Sequence, residues 1–178
     1  MSPSQTASSP SGSPRFSDGT LAVALLSVLT LFRFWYCTRL ELVGDETYYW
    51  LWSRHLALSY VDKGPVIAWI IRAGTALFGD TPFGIRFFGI LFSAGTGWQV
   101  FRLARRLYDD RTALRCLIVA CLIPLFGVGS IVMTIDSPSV FCWAWAINVF
   151  WTALASGKVR LGRRAVVVGL TPPRTMNR

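Results

Sequence analysis

The chain has 178 residues, 53% hydrophobic and 15% charged, with a mean hydropathy of +0.46. That is too apolar for an ordinary soluble domain, and the apolar residues fall in long blocks rather than short alternating strands, which predicts an all-α, polytopic transmembrane protein. The net charge of +9 does not predict a nucleic-acid partner, because the basic residues bunch at the ends of the apolar spans.

Residues 1–18 are a polar leader of Ser, Pro, Gly and Thr, expected to be disordered. It makes a poor signal peptide: Arg15 is its one basic residue, and the apolar run that follows is long and lacks a small-residue cleavage site. The first span, about Thr20–Cys37, is therefore expected to remain as an anchor, with Arg33 snorkelling from its outer end. Residues 38–81 are neither soluble-like nor a clean span. Asp45–Leu56 predicts an interfacial amphipathic helix, with Tyr48, Leu51, Trp52 and His55 on one stripe and Arg54 off it. Gly64–Phe78 is apolar but only about 15 residues long and contains Arg72, which predicts a re-entrant or surface-lying helix.

A second span, about Pro82–Leu103, opens at the turn Gly79-Asp80-Thr81 with proline placed for a helix start. Further spans are expected over about Thr112–Met133 and Ser137–Ala155, making about four that each approach the ~20 residues needed to cross a bilayer. After Gly157 come Lys158, Arg160, Arg163 and Arg164, then Ala165–Leu170, too short to span and stopped by Pro172-Pro173. Residues 158–178 are expected to form a basic cytoplasmic tail, aberrant or truncated. Cys37, Cys116, Cys121 and Cys142 lie in or at the edges of spans with no spacing that suggests disulfides or a zinc knuckle; they read as small apolar side chains.

Arg102, Arg105, Arg106, Arg111 and Arg115 crowd one connection, and Lys158–Arg164 the end of the last span, so both are placed on the cytoplasmic side. Alternation then puts residues 38–81 and the Met133–Ser137 connection on the other face. Asp45, Glu46, Asp62 and Asp136 gather there, beside the aromatic collar of Tyr48, Tyr49, Trp50 and Trp52.

Adjacent carboxylates on a helix diverge by about 100°, so Asp45 and Glu46 are expected to hold different roles rather than share a proton. One suits a general base towards a hydroxyl; equally, acids in a first turn simply meet the helix dipole. In Asp62-Lys63-Gly64-Pro65, Lys63 suits a phosphate and Asp62 a hard divalent ion, while the same residues also read as a solvated turn. Asp136 is either a third site carboxylate or the cap of the last span, with Pro138 in its first turn. His55, the single histidine, reads as packed or interfacial rather than as a ligand. No Walker loop, GxSxG, HExxH, CxxC or GxGxxG occurs, so a nucleotide cofactor finds no support, and a sugar transferase would need a donor delivered in the membrane.

At these residues the chain resembles the GT-C membrane glycosyltransferases, in particular the dolichyl-phosphate-mannose protein mannosyltransferase-like group and its bacterial RgtA/B/C/D-like and aminoarabinose lipid A transferase relatives. The matching text is Gly44-Asp45-Glu46-Thr47-Tyr48-Tyr49-Trp50, then Leu56 through Ser59-Tyr60-Val61-Asp62-Lys63-Gly64-Pro65, Thr75–Asp80, Gly84-Ile85-Arg86 and Thr134-Ile135-Asp136-Ser137-Pro138. The resemblance covers about residues 20–157, the amino-terminal part of such enzymes. It implies transfer from a polyprenyl-phosphate-linked sugar on the outer face of the membrane, in bacteria the periplasmic face of the inner membrane, to an acceptor it does not specify.

It further implies that Asp45 is the candidate base with Glu46 beside it, and that Asp136 is a second acidic site residue. Lys63 would contact the lipid phosphate, with Tyr48 and Tyr49 beside the substrate. Asp62 becomes the position for a divalent metal ion. Gly64 stands where many relatives carry proline. The implied reaction is one displacement at the anomeric carbon, with inversion. A chain of about four spans offers little to enclose the donor's tail, so it is expected to be inactive alone. The other reading is a non-catalytic four-span membrane remnant or assembly subunit. A longer reading frame downstream would favour the enzyme, a true stop the remnant.

Overall fold

The computed structural model describes residues 17–60 and 63–156, and all regular structure among them is helical. The expectations for residues 1–16, for Asp62 and for the tail from Gly157 onward fall outside the described residues.

The first helix, α1 (Asp18–Tyr36), buries Ala22, Leu26 and Arg33 along one face, and leaves Val28, Leu31, Phe32 and Trp35 facing outward. Arg33 does not snorkel as expected: it is 7% exposed and turned inward, within electrostatic reach of Cys121. The next helix, α2 (Gly44–Arg54), buries Glu46, Tyr49 and Ser53, spaced three and four apart, while Tyr48 and Leu51 are exposed. The expected apolar stripe is thus the outward one. The polar face turns inward because Glu46 has a cation waiting for it.

Helix α3 (Val66–Phe78) is the short apolar helix expected there, burying Ile67, Ala68, Ile71, Gly74 and Thr75 at helical spacing. It stops at Gly79, whose φ of 76° is left-handed. The chain then reverses into α4 (Pro82–Leu107), started by Thr81, whose hydroxyl accepts the Gly84 N–H at 3.1 Å, and by Pro82 in the first turn. At this hairpin the backbones nearly touch. A Cβ on Gly74 would lie 2.2 Å from the Gly84 carbonyl oxygen, and one on Gly84 2.4 Å from that of Gly79. Small residues at helix crossings allow such approach in membranes.

The expected third span is two helices, α5 (Asp110–Leu122) and α6 (Pro124–Gly129). Pro124 lacks an N–H and its ring would clash with the preceding turn, so Ile123 is extended and the helix breaks. Asp109 caps α5, accepting from the Arg111 and Thr112 N–H groups. After α6 the chain runs through residues 130–135 to α7 (Asp136–Ala155), as the sequence led one to expect.

The central post is α4, packed by α1, α3, α5 and α7. At one end lie α2, α3 and the 130–135 connection, over a core of Tyr49, Ile67, Ile71, Ile85 and Met133. Towards the other end, Ala22, Leu26, Phe101, Ala104, Ala113 and Leu117 pack α1, α4 and α5 together. A polar lock ties α4 to α7: the Asn148 amide donates to the Gln99 carbonyl at 2.9 Å, and Arg106 donates to the Asn148 carbonyl at 3.0 Å and the Thr152 hydroxyl at 2.5 Å. Among the described residues α1 and α7 are the two helices both long and apolar enough to cross a bilayer. The length of α4, about 39 Å at 1.5 Å per residue, also suffices, but its arginines and Gln99 lower its hydropathy. This is an all-helical membrane protein.

Candidate functional site

At the α2–α3 end a buried ion pair organises the surface above it. Arg86 and Glu46 are both fully buried. The Arg86 Nε donates to Glu46 Oε1 at 2.8 Å and Nη2 to Oε2 at 2.5 Å, the bidentate fork that guanidinium and carboxylate planes favour. Its remaining donors reach the carbonyls of Cys37 at 2.8 Å, Leu40 at 3.0 Å and Glu41 at 2.8 Å. All five N–H bonds of the side chain are therefore used. Glu46 also accepts the Val43 N–H at 3.1 Å and the Met133 N–H at 2.8 Å. One ion pair thus joins α4, the turn after α1, the start of α2 and the connection that leads to Asp136.

Asp45 and Glu46 were expected to hold different roles, and Glu46 is the buried one of the two. Both its oxygens are committed to four donors in a site closed to solvent, so it positions its neighbours and does not face a substrate. Asp45, one residue earlier, is exposed, as is Asp136 at the start of α7. Both act on Lys63. The Lys63 ammonium donates to the Tyr49 hydroxyl at 3.2 Å and lies 5.8 Å from the centre of that ring. Its pKa is raised above the usual 10.5, first by the Tyr49 hydrogen bond and further by the charges of Asp45 and Asp136. Lys63, Tyr49, Asp45 and Asp136 therefore share one corner of the molecule, from three separate stretches of chain.

Around them the aromatic collar has defined jobs. Tyr48 is exposed and packs on Trp52, with ring centres 4.5 Å apart. Trp52 is stacked on Tyr60 at 4.4 Å and 6°, and the Tyr60 hydroxyl lies 3.0 and 2.9 Å from the Trp52 and His55 carbonyls, closing the loop after α2. Asp80 accepts from Trp50 Nε1 at 3.1 Å and pairs with Arg54 at 2.6 Å, fastening α2 to the α3–α4 turn. Exposed pairs of this kind contribute little stability, about 0–1 kcal/mol, so the buried clamp dominates. His55 is the exposed C-cap of α2.

For the expected divalent ion, no group of three or more His, Cys, Asp or Glu converges among the described residues, and Asp62 lies outside them. Sequence reasoning singled out Arg86 as part of a matching block but gave it no role. The available signal was its position: a charge within the apolar first half of α4 calls for an acidic partner, and the carboxylates gathered on the outer face were the candidates.

Several membrane sugar transferases are similar to this chain. The chain is 31% identical over 123 residues to the undecaprenyl phosphate-α-4-amino-4-deoxy-L-arabinose arabinosyl transferase of Pseudomonas aeruginosa, a match covering 68% of this chain and 22% of the relative. It is 30% identical over 127 residues to the lipid A galacturonosyltransferase RgtD of Rhizobium johnstonii, over 71% of this chain and 26% of that protein. With the arabinosyl transferase of Edwardsiella ictaluri it shares 33% identity over 106 residues, covering 54% of this chain and 19% of the relative. The match therefore spans about a quarter or less of each relative's length. No solved structure matches. The profile of the dolichyl-phosphate-mannose-protein mannosyltransferases matches residues 62–171, and with the blocks already placed around Lys63 and Asp136 this shows that the chain belongs to that family of membrane glycosyltransferases.

Proposed function

We propose that this chain forms the donor-phosphate and base corner of a glycosyltransferase that moves a sugar from a polyprenyl phosphate to an acceptor at the periplasmic face of a bacterial inner membrane. The observation that carries the reading is the Lys63 ammonium held on Tyr49 with Asp45 and Asp136 within electrostatic reach. The undecaprenyl-phosphate donor named for the arabinosyl transferase relatives and the lipid A named for RgtD support a lipid-borne donor and an envelope acceptor.

Two exposed carboxylates beside one held cation suit a single displacement. Asp45 takes the proton of the acceptor hydroxyl as its oxygen bonds to the anomeric carbon. The bond from that carbon to the phosphate oxygen breaks, and Lys63 neutralises the departing polyprenyl phosphate. Configuration inverts. Asp136 orients the sugar from the α7 side, and Tyr48 offers an exposed face beside it. A divalent ion, if one is used, would draw on these carboxylates and Asp62, and no step here depends on it.

The test places this chain's matched segment in the Pseudomonas aeruginosa arabinosyl transferase and measures sugar transfer from its undecaprenyl-phosphate donor. Asp45→Asn should lower the rate by ~10²–10⁴, the usual loss of a general base. Transfer within about twofold of the unsubstituted chimera would remove Asp45 from the reaction.

A further inference from the structure

Away from the Lys63 corner, a groove of about 620 Å³ runs between α1 and α4, with Val23, Ser27 and Leu31 on one wall and Ala94, Gly95 and Trp98 on the other. It lies within the bilayer, since Val23 to Leu31 is the middle of a helix apolar and long enough to span. That stretch of α1 makes the groove about 12 Å long at 1.5 Å per residue, most of one leaflet of a hydrocarbon core ~30 Å thick.

The chemistry of the groove is ordered along α4. Arg102 follows Trp98 by four residues, so it stands on the same face one turn, about 6 Å, nearer the arginine-rich end. It is exposed and joins no ion pair among the described residues, whereas Arg105 is held by Asp110 at 2.6 Å. The Trp98 ring is stacked on Phe101, with centres 5.5 Å apart, and its indole N–H, unlike that of Trp50, finds no acceptor among the described residues. The two helices run antiparallel, Leu26 meeting Gly97 and Phe34 meeting Phe87, so Ser27 stands at nearly the depth of Trp98. Beyond that level the walls are Leu31, Ala94 and Gly95. A free cation is thus followed by two hydrogen-bonding groups and then by hydrocarbon.

We propose that this groove binds one anionic glycerophospholipid of the leaflet on the arginine-rich side, with its phosphate on Arg102, an ester carbonyl on the Trp98 N–H and one acyl chain along Leu31 and Ala94. A glycerophospholipid carries the anion, the acceptor and the chain in that order. A polyprenyl phosphate has no ester and would leave Trp98 and Ser27 unanswered. A further membrane helix answers them no better from its backbone, whose carbonyls are spent within the helix. An anionic headgroup suits this end of the molecule, where Arg102, Arg105, Arg111 and Arg115 outnumber Asp109 and Asp110. The site stands towards the end of α4 remote from Lys63, so it does not depend on the donor reading.

The protein in detergent is titrated with dioleoyl phosphatidylglycerol, dioleoyl phosphatidylcholine, the diether analogue of phosphatidylglycerol and undecaprenyl phosphate, and retained lipid is counted by native mass spectrometry. Phosphatidylglycerol should bind as a single copy, about tenfold tighter than phosphatidylcholine. Arg102→Gln should remove that advantage, whereas Arg111→Gln, at the same end but off the groove, should change it less than about twofold. Trp98→Phe keeps a ring and removes the donor, so it should weaken the ester lipid about fivefold, the worth of one neutral hydrogen bond, and leave the diether unchanged. Ser27→Phe and, from the other wall, Ala94→Leu should each block the site by filling it, with melting by circular dichroism as the control for folding.

Equal losses in Arg102→Gln and Arg111→Gln would reduce the binding to diffuse surface charge and overturn the site. Phosphatidylglycerol retained undiminished in both filled variants would place the lipid elsewhere, and no preference over phosphatidylcholine would refute the headgroup assignment. Equal weakening of ester and diether in Trp98→Phe would refute the carbonyl contact. Undecaprenyl phosphate held more tightly than phosphatidylglycerol through Arg102 would give the groove to a polyprenyl chain. A lipid-free dimer that Ser27→Phe dissociates would give it to a second copy.

Discussion

Replacing Arg86 by methionine keeps the length of the side chain and removes its charge and all five donors. Glu46 would then be a buried carboxylate facing no cation, and the carbonyls of Cys37, Leu40 and Glu41 would lose their donors together. Breaking a buried pair from one side costs about 3–5 kcal/mol, and each orphaned carbonyl adds its own desolvation, about 1–3 kcal/mol, without strict additivity. A loss of at least about 4 kcal/mol is expected, concentrated where those groups sit. The rest of the bundle has its own core of Leu26, Phe101 and Leu117 and its own Asn148 lock, neither of which touches Arg86.

Hydrogen exchange of the protein in nanodiscs separates local from global opening. Amides of residues 37–54 should exchange about 10³-fold faster in Arg86→Met, since each 1.4 kcal/mol is tenfold, while those of α5 and α7 change little. Arg86→Lys should fail almost as badly, because three donors on one nitrogen cannot serve five acceptors arranged for a fork. In a double-mutant cycle, Arg86→Met with Glu46→Gln should be milder than the sum of the single losses, because the buried charge goes with its partner. Unchanged exchange over 37–54 in Arg86→Met would refute the clamp, as would acceleration spread evenly over the whole chain.

Gly84→Ala should destabilise the α3–α4 hairpin by about 1–3 kcal/mol in an unfolding titration, because its new methyl meets backbone that cannot swing aside. Gly44→Ala, with nothing within 4 Å of its Cβ position, should be neutral or slightly stabilising. In a background with Cys142 replaced by serine, an impermeant thiol reagent should label Ser59→Cys and not Ser156→Cys from the periplasmic side; the reverse pattern would invert the orientation. Because the Lys63 pKa is raised above 10.5, its charge is complete below that value and is lost only as pH climbs through the raised one. Undecaprenyl phosphate binding should therefore not weaken between about pH 7 and pH 9, measured in the same nanodiscs. A fall with a midpoint in that window would deny Lys63 the phosphate.

Local chemistry was legible in the chain and distant chemistry was not. Thr81-Pro82 marks a helix start through the Thr81 cap and the proline, Asp136-Ser137-Pro138 through an acid and a proline in the first turn, and both helices begin there. The short helix before them declares itself by length and by Gly79. Pro124 was as plain a signal, yet the apolar run on both sides masked it, since hydropathy alone cannot distinguish one span from two helices joined at an extended residue. Which face of α2 is buried could not be read from the chain, for a more general reason. In water an apolar stripe turns inward, but beside a bilayer it is free to turn outward, and the buried face is then set by whichever polar group has a partner. That partner is Arg86, 40 positions away, and no local pattern ties it to Glu46. Of the site, the residue types were readable and their convergence on Lys63 was not, because it needs the α3–α4 reversal and the clamp together.

The glycines of α4 face different neighbours: Gly84 meets α3, Gly89 the Met133 side chain, Gly95 the Phe141 ring of α7 and Gly97 the Leu26 side chain of α1. They act like the cuts of a key, since each admits one neighbour at one depth and one rotation. A single residue inserted after Ile90 would turn everything beyond it by about 100° and lift it by 1.5 Å, so that Phe141 and Leu26 would both meet side chains where they had sockets. Gly84, Arg86 and Gly89 would keep their seats, and the clamp with them. Such an insertion would split the molecule into an intact corner and an unseated bundle, and would show whether Asp136, on the helix that Gly95 seats, takes its place from the clamp below it or from the post beside it.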